Sequence, residues 1–286
     1  MKNYFLLSQS AFLTHFMELA GPELRKVSKV ASLVKLQSLL DLALNMNFSG
    51  DEVAYKYKED VKVTLAPTGL YDWLLKIVSK GGPGFGMDDN AADVIESPSE
   101  RDKDKRRKCE DSLCYRNIPK GIILIHWSVT TMDVLQLDFQ VPFPLSLVLS
   151  RKTVLRYQLL FRFLMHLKHI EQCLSQIWID QKTDVWKAAV PWHPELEGWR
   201  RRVWVLRARM LAVIQQIISY ITMEVLEPNW RNLEAKIGKV TTVDQLLRDH
   251  VDFLDTCLKE CMLTNAKILK ACRNDSPFNA EGYARS

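Results

Sequence analysis

The sequence predicts an all-α protein: stacked helical bundles with long central helices, a disordered insert and at most one or two short strands. Three observations carry that expectation. From Leu145 to Trp178 no proline or glycine interrupts the chain, and apolar residues recur there at helical spacing. A second run, Trp199–Glu227, is equally free of proline and glycine. Alternation of apolar and polar residues is confined to Val61–Val63 and Leu135–Val141, which read as short strands.

Taken in order, residues 3–20 read as a helix with Leu6, Leu7, Phe12, Phe16 and Met17 apolar, and Gly21-Pro22 is expected to end it. Residues 30–46 place Leu33, Leu36, Leu40 and Leu44 on one face of a second helix. A third helix runs from Pro67 to Ser79, with proline tolerated in its first turn. Residues 81–131 differ in kind. They open GGPGFG, turn acidic, and become RDKDKRRK at 101–108, a composition too polar to bury a core, so they read as a disordered insert. The insert closes on an apolar run, Ile118–Val129.

The central helix starts near Ser150, a favourable N-cap, and at 1.5 Å per residue reaches roughly 40 Å. On a 100° wheel its polar residues form one narrow stripe: Arg151, Gln158, Arg162, His169 and Gln176. The other directions are apolar, so the helix is expected to be wrapped by neighbours, with the stripe alone meeting water or a partner. The second long helix, Trp199–Glu227, carries arginines 200, 201, 202, 207 and 209 in its first turns and apolar residues such as Leu211, Ile214 and Ile218 later. Pro228 ends or restarts it. Thr242-Val243-Asp244-Gln245 is a capping-box pattern that starts a helix reaching about Leu263. From Ala271 the chain has no period and reads as a disordered tail. The expected organisation is a first helical segment over 1–80, the insert over 81–131, a helical bundle over 132–270 and the tail over 271–286.

The chain has 286 residues, a hydrophobic share of 47% and a net charge of +5. That mild basicity suits an acidic partner at least as well as nucleic acid. No apolar run approaches about 20 residues, so no membrane span is expected. Six cysteines in a chain this long make no disulfide scaffold and read as reduced thiols of a cytosolic protein. MKNYFLLSQSAF lacks a small-residue cleavage site and is not read as a secretory signal.

Candidate chemistry is sparse. His166, His169 and Cys173 are ligand types, but the wheel divides them between stripe and apolar flank, and they lack a fourth ligand; ordinary packing is the reading adopted. GGPGFG lacks the Lys-Ser/Thr and the strand–loop–helix frame of a phosphate loop. No nucleophile elbow, zinc-protease motif or paired Cys-x-x-Cys is present, so neither an enzyme nor a cofactor is expected. The basic run 101–108 lacks nearby aromatics for base stacking and reads as a solvated linker. Arg200, Arg201 and Arg202, with Trp199 and Trp204, stand at a helix start where the dipole disfavours cations, and read as a basic patch for an acidic protein surface.

Three segments carry a resemblance: YFLLSQSAFLTHFMELA at 4–20, PLSLVLSRKTVLRYQLLFRFLMHLKHIEQCLSQIW at 144–178, and SYITMEVLEPNW with HVDFLDTCLKECML at 219–230 and 250–263. In that order they resemble the C-terminal half of the gamma-tubulin complex component family, most closely its component 2 type. The resemblance covers about 4–80 and 134–270. It implies a non-enzymatic, all-helical scaffold that holds gamma-tubulin, pairs with a component 3 type subunit and supports microtubule nucleation at a microtubule-organising centre such as a spindle pole. The family's N-terminal half is missing from this sequence, residues 81–131 match nothing in it, and the family continues with further helices past ACRNDSPFNAEGYARS. Charge and exposure, rather than the resemblance, nominate the partner contacts: Arg151, Arg162 and His169 on the stripe, and Arg200, Arg201 and Arg202 in the patch. No membrane and no nucleic acid are expected as partners. The alternative is a basic helical nucleic-acid-binding protein, whose binding would collapse steeply with salt.

Overall fold

In a computed structural model, residues 1–8, 11–46, 57–81, 130–141, 143–183 and 195–274 are described. Almost all of the insert, with GGPGFG from its second residue, RDKDKRRK and the apolar run Ile118–Val129, lies outside them, as do residues 275–286 of the tail. The chain divides into two units: Met1–Leu70 with Val129–Leu263, and Tyr71–Ser128 with Thr264–Ser286. The described elements are mostly helical, in keeping with the expected class.

The first unit opens with a single turn, α1 (Lys2–Phe5), and then α2 (Ala11–Leu24). The expected helix over 3–20 is therefore two, with Leu7 between them at a positive φ of 54°. Nor does Gly21-Pro22 stop α2. Pro22 sits in its last turn, where one missing N–H costs a single bond. The residue before it is glycine, which has no Cβ to clash with the proline ring. α3 (Leu33–Met46) packs on α2, and buried Glu23 joins them by accepting from Lys26 at 2.7 Å and Lys35 at 2.6 Å.

β1 (Val61–Leu65) pairs antiparallel with β2 (Leu135–Phe139), Val63 opposite Leu137, so both expected strands form one two-stranded ribbon. Gln37 of α3 completes its edge, donating to the Val61 carbonyl at 3.3 Å and accepting from the Val63 N–H at 2.7 Å. α4 (Leu70–Gly81) follows β1, with Leu70 and Leu74 buried. α5 (Thr131–Val134) leads into β2, and Thr130 and Asp133 close a reciprocal capping box at its start.

α6 (Arg151–Gln181) is the long central helix, begun as expected by Ser150, whose hydroxyl accepts from the Thr153 N–H at 3.4 Å. Its first half is core: Val154, Tyr157, Leu160, Phe161, Leu164 and Met165 are all buried. Phe5 of α1 sets its ring 5.8 Å from Tyr157 and 6.2 Å from Phe161. Beyond Leu167, only Leu174 and Gln181 of this helix are buried, so the expected all-round wrapping ends halfway. Among the described residues, α7 (Glu195–Ser219) is what lies against that second half.

α7 continues through a π-helical stretch, Tyr220–Leu226, into α8 (Glu227–Ile237). Pro228 sits at the first turn of α8 and lacks the N–H that Glu224 would need as acceptor. The widened turn ahead of it removes the ring–carbonyl clash that a regular helix would impose. Asn229 takes up the next carbonyl, donating to Val225 at 2.8 Å. By length and composition Glu195–Ile237 passes for a membrane span, which the sequence reading did not anticipate. Five arginines before residue 210 and the glutamines at 215 and 216 interrupt it.

α9 (Val243–Glu260) begins at the expected Thr242, whose hydroxyl accepts from the Gln245 N–H. It ends in a Schellman turn: Leu263 N–H reaches the Leu258 carbonyl at 3.0 Å and Met262 N–H the Lys259 carbonyl at 3.0 Å. Met262 stands at φ 59°, a left-handed conformation that glycine adopts freely and methionine does not. Because Met262 is exposed, Met262→Gly is expected to stabilise the chain by up to about 1 kcal/mol in urea unfolding. A destabilised variant would mean that the thioether's contacts outweigh the backbone relief. In the second unit, α10 (Ala266–Asn274) reaches past the Ala271 start of the expected tail, with Leu269 buried.

Candidate interaction surface

The polar stripe of α6 does not form the surface that the wheel suggests. Gln158 and Arg162 are both 0% exposed. They face the ribbon and its flanking turns, where backbone carbonyls need donors. Gln158 donates to the Leu137 carbonyl at 2.9 Å. Arg162 Nη2 donates to the carbonyls of Thr68 at 2.9 Å and Asp133 at 2.7 Å. Arg162 is thus a structural clamp with no solvent access, not the exposed partner contact that the wheel predicts. Burial, against the pull of nearby Asp133, lowers its pKa to about 10, so the guanidinium stays charged at neutral pH.

The other nominees are scattered. Arg151 is exposed and donates to Asp138 Oδ1 at 2.6 Å, the carboxylate that Gln158 also approaches at 3.3 Å. His169 is half-buried one helical turn before Cys173, its Nε2 3.5 Å from Sγ. Burial holds the His169 pKa below the ordinary imidazole value. His166 points instead to Asp133, with Nε2 3.6 Å from Oδ1. Among the described residues no group of three or more His, Cys, Asp or Glu side chains is arranged to hold a metal. Cys257 and Cys261 are buried free thiols. Burial first, and neighbouring Glu260, push Cys261 up to about 12, and Cys257 is pushed up as well, so neither supplies a thiolate at neutral pH.

The remaining nominees fall on α7. Arg201 and Arg202 are exposed and Arg200 is half-buried. α7 lies antiparallel on the second half of α6. Arg207 donates to the Leu174 carbonyl at 3.2 Å with its guanidinium 4.9 Å from the Trp178 ring, and Gln215 reaches Glu171 at 3.2 Å. Lys182 approaches the same indole at 5.1 Å, so Trp178 carries two cations. No residue of α7 is buried. Its exposed apolar side chains and exposed arginines together make a candidate surface. The sequence marks the arginines and the apolar turns, but a wheel shows which residues share a face and not whether anything covers it.

A family model of the gamma-tubulin complex component C-terminal region matches residues 1–274. The spindle pole body component alp4 of Schizosaccharomyces pombe is 40% identical over 275 residues, 94% of this chain and 35% of that protein. Gamma-tubulin complex component 2 of Mus musculus is 34% identical over 270 residues, 94% of this chain and 26% of that protein. Gamma-tubulin complex component 3 of Homo sapiens is 26% identical over 267 residues, 92% of this chain and 22% of that protein. The chain spans about a quarter to a third of the length of the first two of these relatives.

Proposed function

The chain belongs to the gamma-tubulin complex component family, through its C-terminal region, and from that premise we propose that it is a non-enzymatic scaffold that binds gamma-tubulin. In this reading it works within a gamma-tubulin complex beside a component 3 type subunit, supports microtubule nucleation, and resides at a microtubule-organising centre such as a spindle pole. The observation that carries the reading is the family match, which runs from residue 1 to residue 274. The helical architecture supports it: long rods and a basic patch.

Arg201 and Arg202 are the proposed principal contacts, with Arg200 beside them and Arg151 and His169 as secondary ones. Exposed arginines of this kind steer and orient an acidic partner more than they add affinity. The test is co-purification of gamma-tubulin with the chain at moderate salt. Wild type is expected to retain gamma-tubulin, and Arg201→Glu/Arg202→Glu to retain roughly tenfold less at low salt, the gap narrowing as salt screens it. A wild-type chain that retains none overturns the proposal. Equal retention by the variant moves the contact off the arginine patch.

A further inference from the structure

α7 repeats its apolar residues at an interval of three and a half, the spacing of a coiled-coil seam. Leu196, Val203, Met210 and Ile217 fall seven apart. Trp199, Leu206, Val213 and Tyr220 fall seven apart between them, each three residues after a member of the first set. All of these but half-buried Val203 are exposed, from 38% at Ile217 to 59% at Leu206. α6 is occupied with a different side of the helix, the one bearing Arg207 and Gln215. A seam of this regularity left in water is costly, at about 25 cal/mol per Å² of apolar surface, and a second helix is the shape that fills it.

Charge says which helix. From Gly198 to Met223 the chain holds five arginines and no acidic residue. Arg202 and Arg209 each stand one position before a seam residue, where side chains reach across to a docked helix. Both are exposed and neither has an ion pair among the described residues. A second copy packed in parallel would set arginine against arginine. Packed antiparallel, it would set arginines against the neutral stretch 210–223. Within Gly198–Met223 neither arrangement supplies a carboxylate.

We propose that the α7 seam docks an amphipathic helix of a partner protein, apolar along its own seam and bearing Glu or Asp opposite Arg202 and Arg209. The proposal does not rest on the gamma-tubulin reading, and its test contains no tubulin, so each can fail alone. The probe is a labelled four-heptad peptide with Leu at its seam positions and Glu at the flanking positions, titrated with the whole chain and followed by fluorescence anisotropy. A control peptide has the same seam and Lys at the flanks.

The Glu peptide is expected to bind roughly tenfold or more tightly than the Lys peptide, with the gap closing as salt rises. Met210→Asp/Val213→Asp is expected to abolish binding, and Arg202→Glu/Arg209→Glu to reverse the preference. All four positions are exposed, and unchanged circular dichroism checks that the variants fold. Equal binding of both peptides, or of neither, overturns the proposal. So does a dimer in sedimentation that Met210→Asp/Val213→Asp abolishes, which would make the occupant a second copy. Capture by phosphatidylserine-containing vesicles in place of the Glu peptide overturns it too, and would make α7 a membrane-facing helix.

Discussion

Arg162→Ala is expected to cost about 3–5 kcal/mol in urea unfolding, a large share of what a domain of this kind has to lose. The side chain has no solvent access, and one terminal nitrogen serves two carbonyls from segments far apart in the sequence. Thr68 lies on the segment that leads from β1 into α4, and Asp133 on the last turn of α5 before β2. Because Leu65 pairs with Leu135, both segments flank the same end of the ribbon, and the clamp ties that end to the middle of α6. Alanine leaves two part-buried carbonyls without that donor, at about 1–3 kcal/mol each at most, and a cavity where the stem packed. Arg162→Met keeps most of the stem and removes the donors, so its loss should fall between alanine and wild type. An alanine variant within about 1 kcal/mol of wild type would show that water replaces the guanidinium without cost and that the clamp is dispensable.

The same residue marks where the sequence stops being legible. A helical wheel groups Arg151, Gln158, Arg162 and His169 correctly, because 100° per residue is a property of the helix. It does not say whether the group meets water or the carbonyls of a ribbon that pairs residue 61 with residue 139. That information lies in tertiary pairing, and it reverses the reading of Gln158 and Arg162. Local signals fared better: Ser150 and Thr242 cap the helices they were expected to cap, and both short alternating runs are strands. Gly21-Pro22 misled, because a proline in the last turn of a helix forfeits little and its glycine neighbour relieves the clash. The seam of α7 is present in the sequence but invisible to the wheel. A wheel turned at 100° smears a 3.5-residue repeat over seven turns, whereas a heptad template exposes it.

Stability is expected to fall on acidification from pH 7, and His250 should account for a large part of that fall. It is 7% exposed, with Nε2 2.8 Å from the Tyr157 hydroxyl and its ring stacked on Phe253 at 6.5 Å. Burial, with a smaller push from the Met1 amino group, lowers its pKa from 6.5 to about 4. Burial also raises the Tyr157 pKa, which keeps that hydroxyl protonated and able to donate to a neutral imidazole whose proton is on Nδ1. The unfolded chain therefore binds a proton between pH 6.5 and 4 that the folded chain refuses. Stability from this group is complete above pH 6.5 and is lost as pH falls toward 4, by about 2 kcal/mol at pH 5 and about 3 kcal/mol at pH 4. His166 and His169 are also lowered by burial and act in the same direction, so the slope should not vanish when His250 is removed. His250→Gln, measured by urea unfolding at pH 7 and pH 5, should be less stable than wild type at pH 7 yet lose about 2 kcal/mol less between the two. Parallel losses in the two proteins would show that His250 is protonated in the folded state at pH 5. The Tyr157–His250 contact would then tolerate the charge, and the acid sensitivity would belong to His166 and His169.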